Sequence, residues 1–121
     1  MAQLNENRGT ANFIVSEANG MYRSRDVGTV AAGAAPGLLP GTILGKLTAG
    51  GNFVRYDPAA STGAETVAGI LFEAAIGTVK KTIVVRDAEV NGAHLIYQNG
   101  ANDAAKATAN AALKALGIIV R

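Results

Sequence analysis

The stretch Thr42-Ile43-Leu44-Gly45-Lys46-Leu47 is followed by Thr48-Ala49-Gly50-Gly51 and then by Asn52-Phe53-Val54-Arg55-Tyr56. Two short β-prone runs around a Gly-Gly turn spell a β-hairpin. Side chains alternate along a strand, so Phe53 and Arg55 point to one face and Val54 and Tyr56 to the other. Asp57-Pro58 ends the second run, because proline brings no N–H to a ladder. Further strands are predicted on both sides. Upstream, Gly28-Thr29-Val30-Ala31 leads into a loop from Ala32 to Pro40, punctuated by Gly33, Pro36, Gly37 and Pro40. Downstream, Ala59 to Glu65 is a loop and Val67 to Phe72 a buried strand, in which Gly69 marks a bulge or a close approach. Thr82 to Arg86 is a β-branched strand and His94-Leu95-Ile96-Tyr97 a shorter one. Lys80-Lys81 reads as a solvated turn, and Glu89-Val90-Asn91-Gly92 carries a turn signal.

The pattern then switches to a helix. Asn102 caps it and Asp103 faces its positive end. Ala104 to Leu116 is strongly helix-forming. Lys106, Asn110 and Lys114 make one polar stripe, with Ala105, Ala109, Ala112, Leu113 and Leu116 opposite. Gly117 is placed as the residue just past the helix end. The closing Ile118-Ile119-Val120-Arg121 is too apolar to hang free and is expected to pack as a strand or to dock. The fold class is therefore mainly β, of the α+β type, with one C-terminal helix.

At 121 residues the chain is one domain by length. It has no cysteine, which excludes disulfides and thiolate metal sites. Eleven basic against nine acidic residues is a thin excess for a nucleic-acid binder, which normally carries a dense basic stripe. Charged residues are 17% and apolar ones 49%, which argues against bulk disorder. Glu6 and Arg8 fall where a signal peptide needs its apolar core, and no apolar run is long enough to cross a bilayer. The expected setting is a soluble protein made in a cytoplasm.

Residues 1–26 read as an arm and 27–121 as the β-rich domain. The arm is rich in Asn, Gly and Ser, and its charges cancel: Glu6, Glu17 and Asp26 against Arg8, Arg23 and Arg25. Such a segment buries too little apolar surface to offset its ordering entropy, so mobility is expected. Two readings of Phe13-Ile14-Val15 stand side by side. It adds a strand to a partner's open sheet edge, with Met21 and Tyr22 as a second anchor, or it is a strand of its own domain. Deleting Met1 to Ser24 separates them: the first reading predicts an unchanged melting temperature, the second a large loss.

The catalytic inventory is poor. His94 is the only histidine. Ser16, Ser24 and Ser61 lack a nucleophile-elbow context, so no Ser-His-Asp arrangement is assigned. One histidine with scattered carboxylates has no metal-ligand spacing. Asp87 and Glu89 would share a strand face and Glu73 would sit at an edge; all three are read as solvated charges rather than acid–base groups. Pro40 to Leu47 has the glycines of a phosphate loop at the wrong spacing, with Leu47 where a hydroxyl is required. Lys80 and Lys81 with Arg86 could touch phosphates, but a solvated turn is the preferred reading; Arg23 and Arg25 beside Tyr22 could bind nucleic acid, which Asp26 and Glu17 nearby disfavour. No catalytic residue, metal or cofactor is predicted.

Several stretches, in order and spacing, resemble the lambda-type phage head decoration protein D family. They are Leu38-Leu39-Pro40-Gly41-Thr42-Ile43-Leu44-Gly45-Lys46, Tyr56-Asp57-Pro58, Ala68-Gly69-Ile70-Leu71, Glu89-Val90-Asn91-Gly92, the alanine-rich helix, and Ala115 to Arg121. The resemblance runs from about Arg25 to Arg121; the arm matches only in position. It implies a β-clip type of fold with bent strands. It also implies a homotrimer on the outer surface of the expanded capsid, at local three-fold positions, reinforcing the shell against packaged DNA. The arm would pair as a strand with the major capsid protein through Phe13, Ile14, Val15, Met21, Tyr22 and Arg23. Leu38 and Leu39, which should not stand exposed in a lone loop, are candidates for the trimer interface. Neither nucleic acid nor membrane is an expected partner. Two other readings are a receptor- or glycan-binding virion module, which six aromatics and no tryptophan disfavour, and a small enzyme, which would need a polar pocket.

Overall fold

The computed structural model describes residues 9–17 and 21–121. Strand β1 (Ile14–Glu17) is followed by a short helix, α1 (Met21–Ser24), and by β2 (Arg25–Ala31), β3 (Ile43–Lys46), β4 (Phe53–Arg55), β5 (Val67–Leu71), β6 (Thr78–Val84) and β7 (Ala88–Val90). A 3₁₀ turn (Gly92–His94), helix α2 (Asp103–Ala115) and strand β8 (Ile118–Val120) complete the chain.

The predicted hairpin is present. β3 and β4 pair antiparallel, with Leu44 opposite Arg55 and Lys46 opposite Phe53. It is part of a closed barrel in the order β2-β4-β3-β5-β6, sealed by a seven-residue antiparallel pairing of β2 with β6. Beside the barrel lies a three-stranded sheet ordered β1-β7-β8, in which β1 is antiparallel and β8 parallel to β7.

Residues that adjoin along the barrel strands serve two different cores. Leu44, Leu71 and Ile83 join Val30, Leu38 and Ala75 in one buried cluster, with Phe53 packed against it. All five barrel strands contribute to that cluster, so it fills the barrel. Their neighbours Ile43, Ile70 and Val84 point the other way, into a second cluster with Phe13, Val90, Leu113 and Ile118. The second cluster lies between the barrel wall, the three-stranded sheet and α2. With both faces of these strands buried, the sequence shows continuous apolar runs instead of alternation.

Gly69 is where the sequence reading placed a close approach. A Cβ there would stand 2.7 Å from the Val84 carbonyl oxygen. The β3–β5 register slips beside it, since Leu44 faces Gly69 while Gly45 faces Val67. Helix α2 follows its predicted signals: the Asn102 side chain accepts from the Ala105 N–H at 2.9 Å, Ala109 and Leu113 are buried, and Gly117 has φ +86°. The apolar C-terminal residues pack as β8.

Three local expectations are corrected. Lys80-Lys81 is not a turn but the middle of β6, opposite Thr29 and Gly28; Lys80 stands exposed on the strand, and half-buried Lys81 is accommodated by the Glu73 carboxylate at 3.3 Å. Glu89 and Val90 belong to β7, and the turn is made by Asn91, whose side chain accepts from the Ala93 N–H at 2.9 Å. His94 to Tyr97 is not a strand: His94 ends the 3₁₀ turn, and Ile96 makes only an isolated bridge to Thr42.

Candidate functional site

Three surfaces come into question: the outer edge of β1, the Ala32–Pro40 loop, and a groove at the start of α2. Among the described residues β1 pairs with β7 alone, which leaves its other edge open. An open strand edge is a row of unpaired backbone groups ready for another strand.

The residues read as capsid-binding separate here. Phe13 is fully buried in the chain's own core, and its carbonyl accepts from the Asn91 N–H at 2.8 Å. Ile14 is half-buried against the same core, and Val15 is 56% exposed. Phe13-Ile14-Val15 thus runs along a sheet of its own domain, the second of the two readings, while presenting an edge and an apolar side chain outward. Met21 and Tyr22 lie in α1; their side chains, and residues 1–8 and 18–20 of the arm, lie outside the described residues. Arg23 is exposed and pairs with Asp87 at 3.0 Å.

What seats β1 against the barrel is a polar cluster with no local signal in the sequence. The Glu17 carboxylate accepts from Arg25 Nε at 2.8 Å, from Arg25 Nη2 at 2.5 Å, and from the buried Ser24 hydroxyl. The Arg25 guanidinium stacks on the Phe72 ring, 4.0 Å from its centroid. Arg25 holds the Glu17 carboxyl below the ordinary carboxylate range by hydrogen bonding, which outweighs the opposing effect of burial; Ser24 adds to the lowering.

The Ala32–Pro40 loop is clasped to the segment before β6. Leu38 and Ala75 exchange both backbone hydrogen bonds, at 2.8 and 2.9 Å. Of the two trimer candidates, Leu38 is folded into the barrel cluster, whereas Leu39 is 38% exposed. Ile76, one residue past the clasp, is 58% exposed and was not singled out from sequence. Its signal was there to read, an Ile standing alone between Ala75 and Gly77 outside any apolar run.

The groove at the start of α2 encloses about 590 Å³ between Arg55–Ala59 and Gln98–Asn102. Arg55 Nη2 donates to the Tyr97 carbonyl at 3.0 Å and to Asn99 Oδ1 at 3.2 Å. Asp57 accepts from the Ala59 N–H at 3.0 Å. The walls of the groove hold no serine, histidine or cysteine. Tyr97 beside it donates to Asn110 at 2.6 Å, and burial pushes its phenol pKa up; the predicted polar stripe of α2 partly covers this ring.

The other carboxylates are held by arginines. Asp87 pairs with Arg23 and Glu89 with Arg121 at 3.1 Å, and both line one open pocket with Glu17. No group of three His, Cys, Asp or Glu residues that could hold a metal occurs among the described residues. Among them, no helix is long and apolar enough to cross a membrane.

Residues 3–118 match the family model described as bacteriophage lambda head decoration protein D. No curated protein matches the chain.

Proposed function

The chain belongs to the bacteriophage lambda head decoration protein D family, and on that premise we propose how it decorates the phage head. It binds the outside of the expanded shell as trimers at local three-fold positions and reinforces the shell against packaged DNA. The family is one of structural head proteins rather than enzymes, and its members belong on the virion capsid.

The open edge of β1, with Val15 exposed beside it, is the observation that carries the attachment reading. A strand of the major capsid protein would extend the β1-β7-β8 sheet, with backbone hydrogen bonds supplying affinity and Val15 an apolar contact. Because β1 is seated on its own core, this edge is presented preformed, which lowers the ordering cost of binding. The rest of the N-terminal segment, Met21, Tyr22 and Arg23 included, extends the contact. Leu39 and Ile76 supply an apolar patch for self-association. Three edges per trimer make weak contacts cooperate, so each can be modest.

Two substitutions test the parts separately. Val15→Asp changes an exposed side chain and should alter stability by no more than about 0.5 kcal/mol. It should weaken attachment to expanded heads roughly ten-fold or more, because a carboxylate would be buried against the capsid strand. Leu39→Asp should leave the fold intact but shift the free protein from trimer to monomer in sedimentation velocity. Undiminished attachment of the Val15 variant would remove β1 from the interface, and an unaltered trimer of the Leu39 variant would place the three-fold contact elsewhere.

A further inference from the structure

We propose that Asn99 is a site of spontaneous covalent conversion, in which the backbone nitrogen of Gly100 attacks the Asn99 side-chain carbonyl and the residue becomes aspartate or isoaspartate. Asn-Gly pairs are susceptible because glycine has no Cβ to hinder the attacking nitrogen. The described residues contain two such pairs, Asn91-Gly92 and Asn99-Gly100, and the fold treats them in opposite ways.

At the first pair both reacting groups are held. The Asn91 side chain accepts from the Ala93 N–H at 2.9 Å as the cap of the 3₁₀ turn. The Gly92 N–H donates to the Arg121 carbonyl at 3.1 Å. Gly92 is also packed, since a Cβ there would lie 2.9 Å from Val120 Cγ1.

At the second pair the attacking nitrogen is unrestrained. Asn99 and Gly100 are both exposed. They are the two inner residues of a turn closed by the Ala101 N–H on the Gln98 carbonyl at 3.2 Å, with Gly100 at φ +74°. Among the described residues the Gly100 N–H has no hydrogen-bond partner. Arg55 Nη2 donates to Asn99 Oδ1 at 3.2 Å. That bond draws electron density from the carbonyl under attack and stabilises the oxygen as negative charge develops on it.

The step balances with water alone. The Gly100 nitrogen gives its proton to solvent and bonds to Asn99 Cγ. The Cγ–Nδ2 bond breaks, the nitrogen takes up a proton, and ammonia leaves behind a five-membered succinimide. Water then opens the ring at one or the other carbonyl, giving aspartate or isoaspartate. One water is consumed, one ammonia is released, and the net charge falls by one. In the aspartate form the new carboxylate faces Arg55, so the hydrogen bond from the charged guanidinium becomes an ion pair.

The test compares native protein with the urea-unfolded chain, incubated side by side in mildly alkaline buffer and then digested for peptide mapping. Unfolded, the two asparagines should convert at comparable rates. Folded, Asn99 should convert roughly ten-fold faster than Asn91, the factor imposed when one ordinary hydrogen bond must break before attack. The Asn99→Asp variant supplies the reference for the aspartate product. Equal rates in the native protein, or Asn91 converting first, would overturn the proposal.

Discussion

Replacing Phe13 by alanine should cost about 3–5 kcal/mol, the range for removing a fully buried aromatic ring, and lower the melting temperature by on the order of 15 °C. Phe13 has no exposed surface and shares a cluster with Val90, Leu113 and Ile118. It therefore ties β1 to β7, α2 and β8 at once. The cavity left by the ring would be walled by three elements that are each anchored elsewhere, so it could not collapse. Thermal unfolding followed by circular dichroism measures the loss. The same geometry decides the truncation experiment. Deleting residues 1–24 would remove Phe13, all of β1 and the Glu17 carboxylate, so a large fall in melting temperature is expected. An unchanged melting temperature in either variant would mean that β1 is not part of the folded domain.

Glu17→Ala should cost roughly 2–3 kcal/mol, below the full penalty for breaking a deeply buried pair because both side chains keep some contact with water. The side chains of Glu17 and Arg25 are 11% and 23% exposed. Removing the carboxylate leaves the guanidinium over Phe72 without its counter-charge and the buried Ser24 hydroxyl without its acceptor. Acid titration of the unmodified protein tests the same contact. The folded-state pKa of Glu17 is lowered, so its contribution is complete above the ordinary carboxylate pKa. It is lost as the pH falls through the lowered value, because the unfolded chain then binds the proton more readily. The Glu17→Ala variant should therefore lose less stability on acidification than the unmodified protein. Parallel acid-unfolding curves would contradict this role.

The parts of the fold legible in the sequence are those fixed by neighbours in the chain. The β3–β4 hairpin needed only a Gly-Gly turn between β-prone runs, and α2 only its Asn102 cap, its alanines and Gly117. Barrel closure was hidden because it depends on β6 meeting β2, and the lysines at positions 80 and 81 gave the centre of β6 the look of a solvated turn. The three-stranded sheet was hidden for a similar reason. It pairs Ile14 with Val90 and Val90 with Val120, contacts between the two ends and the middle of the chain that no local pattern encodes. Phe13-Ile14-Val15 was recognisable as β-prone, but its seat depends on Glu17 and Arg25 meeting across α1, and opposite charges at that separation carry no signal of pairing. The exposed Leu39 was foreseeable from its loop; its separation from the buried Leu38 required the clasp to Ala75.

Attachment to the head is tested most directly by co-sedimentation with expanded capsids of the parent phage that have been stripped of their decoration protein. The protein should travel with the particles and saturate at three copies per local three-fold site. Protein that stays at the top of the gradient in the presence of properly expanded shells would contradict capsid decoration by this chain.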